Sequence, residues 1–210
     1  MIRILQVALT VGVGALAVAQ PSSETSRVAL RFVVASTGNE VRYRVREQLV
    51  GFDLPNDAVG KSANVTGAIA IDDAGRIVSE ESGFAVDAAS FVSDRDRRDN
   101  YVRGRLLQAA QYPTITFVPR AVQGATLPPS SGTYTFDLVG DLTVRGVTRP
   151  TTWRVTGKVA GDEVTGSATT NFVFADFSIE KPRVRSVLSV ADTIALEYDF
   201  RLVRPGAAAK

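Results

Sequence analysis

After residue 27 the dominant pattern is alternation of apolar and polar side chains in short runs broken by Gly, Pro, Asn or Asp. A period of two can only be read out by extended backbone, with one face of each strand buried and the other wet. In Val41-Arg42-Tyr43-Arg44-Val45-Arg46 the odd positions are apolar and the even ones are arginine, so register is strongly fixed. The same reasoning turns Leu30, Phe32 and Val34 inward, and Ile115 and Phe117 likewise. Near the C-terminus Ile194, Leu196, Tyr198, Phe200 and Leu202 share one face, opposite Thr193, Glu197, Asp199 and Arg201. Further alternating runs cover 65–71, 84–88, 134–144, 152–159 and 164–174, which gives an all-β chain of about eight strands.

Turn signals fall between these runs, at Asp72-Asp73-Ala74-Gly75, Pro128-Pro129-Ser130-Ser131-Gly132, Arg145-Gly146-Val147-Thr148-Arg149-Pro150 and Gly161-Asp162. Short connections pair neighbours antiparallel. The exception is 93–111, where alternation stops; Ser93 with Asp96 three residues later reads as an N-cap and capping box for a short helical segment weakened by Gly104. A sheet this long must either close into a barrel or split into a sandwich. Periodicity does not choose, but the inward faces carry Phe32, Tyr43, Phe84, Phe117, Phe136, Trp153, Phe172, Phe174, Tyr198 and Phe200. That much aromatic volume, punctuated by Gly67, Gly140, Gly157 and Gly166, favours a barrel with bent corners or room beside a ligand.

Composition removes several chemistries. The 210 residues include no histidine and no cysteine, so there is no Ser-His-Asp triad, no thiol nucleophile, no disulfide, and no zinc or haem held by those side chains. A net charge of +2 without a basic stripe argues against nucleic acid as a partner. Met1-Ile2-Arg3, the uncharged run to Ala19 and the Ala17-Val18-Ala19 ending predict a signal peptide over 1–19, leaving one domain over 20–210 that is periplasmic or secreted. An uncharged run of about 16 residues is short for a bilayer span of roughly 20.

Several stretches together resemble one family. They are Asp87-Ala88-Ala89-Ser90-Phe91 followed by Arg97-Arg98-Asp99, then Tyr112-Pro113-Thr114-Ile115-Thr116-Phe117, then 140–150 (Gly-Asp-Leu-Thr-Val-Arg-Gly-Val-Thr-Arg-Pro). In order and spacing they are similar to the YceI-like proteins, a lipid- or polyisoprenoid-binding barrel family. The resemblance implies an extended, eight-stranded, lipocalin-like antiparallel barrel with a mid-chain helical segment. It also implies export and an apolar channel for an isoprenoid-like amphiphile, with Arg98 and Asp99 organising the helix against the barrel mouth. Arg145 stands where the family often has His, and Phe174 and Ser178 where it often has Arg and Gly.

The charge run 94–99 sums to zero and lacks the glycine and closing glutamate of a calcium loop, so it reads as self-paired surface charge. Asp141 and Asp176 form the weak candidate for a catalytic carboxylate pair. The expectation is therefore a binder of an isoprenoid-like lipid rather than an enzyme, without cofactor. Its ligand-binding set is Phe32, Tyr43, Phe84, Phe117, Phe136, Trp153, Phe172, Phe174 and Phe200. Two other readings stay open: a filled barrel serving as a stress-response or protein-interaction module, and an enzyme acting on bound lipid. Homodimerisation along an exposed edge stays open too.

Overall fold

The computed structural model describes residues 27–127 and 130–206, so the signal-peptide expectation lies outside the described residues. Ten antiparallel strands form one sheet: β1 (Val28–Val34), β2 (Glu40–Leu49), β3 (Asn56–Ser62), β4 (Val65–Asp72), β5 (Gly83–Asp87), β6 (Thr114–Gln123), β7 (Gly132–Val144), β8 (Val147–Ala160), β9 (Glu163–Val173) and β10 (Val187–Val203). The order β1-β4-β5-β6-β7-β8-β9-β10 closes into a ring of eight through β1 against β10, where Val33 faces Val203 and Val34 faces Leu202. The β2–β3 hairpin extends the wall from the other stretch of β10.

The two strands beyond eight arise because long β10 is shared. Its C-terminal end meets β1, and from Asp199 back to Val187 it pairs with β2, so 28–49 behaves as one strand broken near Gly38. Only β3 falls outside the alternating runs of the sequence, because its buried positions are Ala58, Gly60 and Ser62, all small. Its register comes from its partner: Gly60 lies opposite Tyr43, and a Cβ there would overlap the Tyr43 ring.

Gly140 and Gly166 serve a similar purpose, although the carbonyls of Val118 and Thr156 lie closer still, whereas Gly67 makes room for the backbone at Gly83 and Phe84. A Cβ at Gly140 would come within 2.6 Å of the Phe117 ring, and one at Gly166 within 2.7 Å of the Phe200 ring. These glycines thus give space to aromatic rings, not directly to a ligand. Pro119, fully buried within β6, sits at the register shift between Pro119 and Ala121, where a missing N–H is tolerated.

The turn expected over 145–150 is shorter than the sequence suggested. Only Arg145 and Gly146 form it, at φ 51° and 73°, while Val147 already pairs with Val144. Two successive left-handed residues are what a two-residue hairpin needs to match strand twist. The helical segment is α1 (Asp96–Tyr101) running into a π-helical turn, Val102–Leu106. Its N-cap is Arg95 and the expected Ser93 capping box does not form. Instead buried Asp99 accepts from the Ser93 backbone N–H (2.9 Å) and hydroxyl (2.6 Å).

Candidate ligand cavity

The inward faces do not meet at the barrel centre. They enclose a cavity of about 790 Å³ that runs from Val122, Leu127 and Tyr134 at one end to Leu49, Phe52 and Val187 at the other. All nine aromatics singled out in the sequence line it. They reach it from β1 (Phe32), β2 (Tyr43), β5 (Phe84), β6 (Phe117), β7 (Phe136), β8 (Trp153), β9 (Phe172) and β10 (Phe200). Phe174 gets there differently: it lies beyond β9, opening a 3-10 turn, Phe174–Phe177, rather than ending a strand.

The rings brace one another as well as the hollow. Phe117 meets Trp153 edge-on at 5.8 Å between centroids, and Phe172 meets Phe177 at 4.9 Å. Edge-to-face contacts of this kind add to simple burial and hold ring orientation. Polar atoms on the wall are few and mostly satisfied. The Tyr198 hydroxyl donates to Asn39 Oδ1 at 2.8 Å, and burial pushes both Tyr198 and Tyr43 up from the ordinary phenol value, Tyr43 to about 12. Both hydroxyls are therefore neutral donors at neutral pH.

The two ends differ. At the β2 end the helical segment places Arg95, Arg97, Arg98 and Tyr101 on the lining, together with Glu47. Arg98 donates to Glu47 at 2.5 Å and also to Asp94. These polar lining residues were not in the sequence-derived set. The family resemblance pointed to Arg98 as an organiser of the helix, and its bond to β2 is how that happens. Arg145 touches the same segment from the opposite wall, donating to the Leu106 carbonyl at 3.3 Å.

The carboxylates offered as a catalytic pair do other things. Asp141 accepts from Arg120 Nε at 2.9 Å, and Asp176 accepts from the Val173 N–H at 2.8 Å. Neither lines the cavity. Among the described residues no group of three or more His, Cys, Asp or Glu side chains is placed to hold a metal ion, and no helix is long and apolar enough to cross a membrane.

The YceI-like domain family matches residues 26–202, almost the whole described chain. The chain belongs to the YceI-like family. Among curated relatives, a UPF0312 protein of Pseudomonas putida GB-1 is 34% identical over 116 residues, covering 51% of this chain and 57% of that one. A UPF0312 protein of Pseudomonas savastanoi is 28% identical over 139 residues, covering 63% and 67%. The chain thus spans little more than half the length of the first of these relatives. Among solved structures, a polyisoprenoid-binding domain from Saccharophagus degradans, implicated in plant cell wall breakdown, superposes with TM-score 0.63 at 14% identity over 85% of this chain and 100% of that one. Burkholderia cenocepacia BcnA superposes with TM-score 0.59 at 19% identity over 80% and 98%. At such identities the likeness is one of fold, and the YceI-like barrel is that fold.

Proposed function

We propose that this YceI-like protein is an exported carrier that sequesters a hydrophobic, isoprenoid-like lipid of the polyisoprenoid or quinone type within its barrel, and that it is a binder rather than an enzyme. The observation that carries the reading is the cavity of about 790 Å³ walled by aromatic and aliphatic side chains. Its size is that of a small-molecule site, about 300–1,000 Å³. A barrel filled by its own side chains has no such hollow. The family match and the polyisoprenoid-binding description of the Saccharophagus relative support the same ligand class.

The energetics suffice without ion pairs. Burying about ten methylene groups at about 0.8 kcal/mol each gives about 8 kcal/mol before ordering costs. The tail lies along Phe32, Phe117, Phe136, Trp153, Phe172 and Phe200, while the polar end of the amphiphile faces Arg95, Arg97 and Tyr101 at the helical end. Export rests on the N-terminal pattern of residues 1–19.

The test is native mass spectrometry of protein isolated from its own host, with solvent extraction of any co-purified lipid and sequencing of the N-terminus. A stoichiometric isoprenoid or quinone, on a chain beginning at Gln20, is the expected result. Ligand-free protein that also refuses added isoprenoids would overturn the carrier reading in favour of an interaction module.

A further inference from the structure

The β2 end of the barrel carries an apolar rim that no part of the described chain covers. Val50, Phe52 and Leu54, at the tip between β2 and β3, are 53%, 58% and 77% exposed, and Leu188 beside them on β10 is 62% exposed. Four of the five large apolar residues exposed in the described chain are therefore gathered at one place. The tip is fastened to the strand next to it: Val50 N–H donates to the Ser186 carbonyl at 3.0 Å, and Leu49 pairs with Val187. The apolar surface is also continuous with the hollow, because Val50 and Phe52 line the cavity while remaining open to solvent.

Among the exposed charges alongside, cations outnumber carboxylates three to two. Residues 180–186 present Lys181, Arg183 and Arg185, all exposed, and none has a carboxylate within ion-pair distance among the described residues. Against them the same two segments hold Asp53 and Glu180. Exposed aromatic and aliphatic tips flanked by unpaired cations are the chemistry of a surface that lies in a lipid headgroup layer. The tips enter the acyl boundary and the guanidinium groups bind phosphates.

We propose that this rim docks the protein onto a phospholipid bilayer, mouth down, with Val50, Phe52, Leu54 and Leu188 inserted and Lys181, Arg183 and Arg185 on the phosphate layer. The rim faces the membrane where, among the described residues, the cavity wall is itself exposed and apolar. A lipid can then pass between bilayer and barrel without crossing water. The proposal concerns the mouth of the carrier site but does not require the cavity to be loaded.

The test is flotation of protein isolated from its host with vesicles of phosphatidylethanolamine and phosphatidylglycerol, and with vesicles of phosphatidylcholine alone, at low and high salt. The wild-type protein is expected to float with the anionic vesicles, more weakly with the neutral ones. Phe52→Ser with Leu54→Ser is expected to lower vesicle affinity about tenfold. Arg183→Gln with Arg185→Gln should remove the preference for anionic vesicles and its salt dependence. All four positions are exposed, so unchanged melting temperatures check that the fold is intact. Absence of wild-type flotation, or equal flotation of all variants, would overturn the proposal. So would a concentration-dependent dimer that Phe52→Ser abolishes while vesicles are ignored, which would assign the rim to a second copy of the chain. Protein that floats but carries no cargo defeats the carrier reading alone; protein that carries lipid yet ignores vesicles defeats docking alone.

Discussion

Arg98 reaches from α1 to Glu47 on β2 across 2.5 Å, with the two side chains only 12% and 7% exposed. This buried ion pair pins the helical segment to the wall at the β2 end of the cavity. The partners are not equivalent, because Arg98 also holds Asp94, whereas Glu47 has no second ion pair among the described residues. Removing Arg98 strands a buried carboxylate. Arg98→Met is expected to cost about 3–5 kcal/mol, and Glu47→Gln, which leaves Arg98 its other partner, about 1–2 kcal/mol. Urea unfolding of the two variants measures the asymmetry, and equal costs would contradict it.

Ser178 occupies the left-handed region at φ 54°, closing the 3-10 turn that carries Phe174 and Phe177. A side chain there is strained, and the resemblance placed a glycine at this point of the family pattern. Ser178→Gly is expected to stabilise the fold by about 1 kcal/mol, since relief of the strain exceeds the added freedom of the unfolded chain. A melting temperature that falls instead would show that the serine side chain contributes more than its backbone costs.

Gly60 and Gly166 each face an aromatic ring across the ladder, yet they differ in what else is near. The three atoms nearest a Cβ at Gly60 all belong to Tyr43, whereas a Cβ at Gly166 would come nearest the Thr156 carbonyl, with the Phe200 ring next. Either alanine variant is expected to cost about 1–3 kcal/mol from overpacking. Tyr43→Val should recover much of the Gly60→Ala cost, while Phe200→Leu should recover a smaller part of the Gly166→Ala cost, because the overlap with the Thr156 carbonyl stays. Double-mutant cycles separate the two cases.

The contrast also explains what the amino-acid sequence could and could not convey. Strands with large apolar residues at every second place, such as β2 and β10, announce both their faces and their register. β3 announces nothing, because its buried positions are Ala58, Gly60 and Ser62 and its conformation is imposed by Tyr43 opposite. The nine aromatics were legible as inward, but inward does not distinguish a packed core from the wall of a hollow. That depends on the closure of β1 on β10, a contact between residues about 170 positions apart in the chain. The helical end was hidden for a different reason. Arg95, Arg97 and Arg98 sit in a run of alternating charge that looks like solvated surface, and only the fold brings Arg98 to Glu47. Local signals also misplaced the cap. Asp99, six residues on from Ser93, takes both of its protons.

Asp72 ties off the end of β4. Its side chain, 5% exposed, accepts from the backbone N–H groups of Ala74 and Arg76 and from Arg76 Nε, at 2.8–2.9 Å. The backbone N–H of Arg76, above all, holds the carboxyl below its ordinary value of 3.8. A depressed folded value means that this contribution to stability is complete above the unfolded value and is lost as pH falls through the folded one. The stability difference between wild type and Asp72→Asn should therefore be constant above about pH 5 and shrink as pH falls below 3.8 toward the depressed folded value. Urea unfolding across that range checks it; a difference that does not narrow would place the acid sensitivity elsewhere, for instance at Glu197, which Arg44 and Arg42 hold below its usual range.

Trp153 combines two roles that a pair of variants can pull apart. Its ring lines the cavity and braces Phe117, and it is 7% exposed. Its indole N–H is buried without a hydrogen-bond partner among the described residues, so the position already bears the cost of a desolvated donor. Trp153→Phe removes that donor and keeps an aromatic edge for Phe117. Its net cost is expected below about 1.5 kcal/mol. Trp153→Ala removes the brace as well and is expected to cost about 3–5 kcal/mol. In a lipid carrier the phenylalanine variant should still bind added isoprenoid, with the hollow slightly enlarged. The alanine variant should lose much of its uptake even at temperatures where it remains folded. Fluorescence is lost with the only tryptophan, so uptake is read by native mass spectrometry and stability by circular dichroism. If the two variants took up lipid equally while differing in stability, the ring would be a packing element of the wall and not part of the surface that a ligand meets.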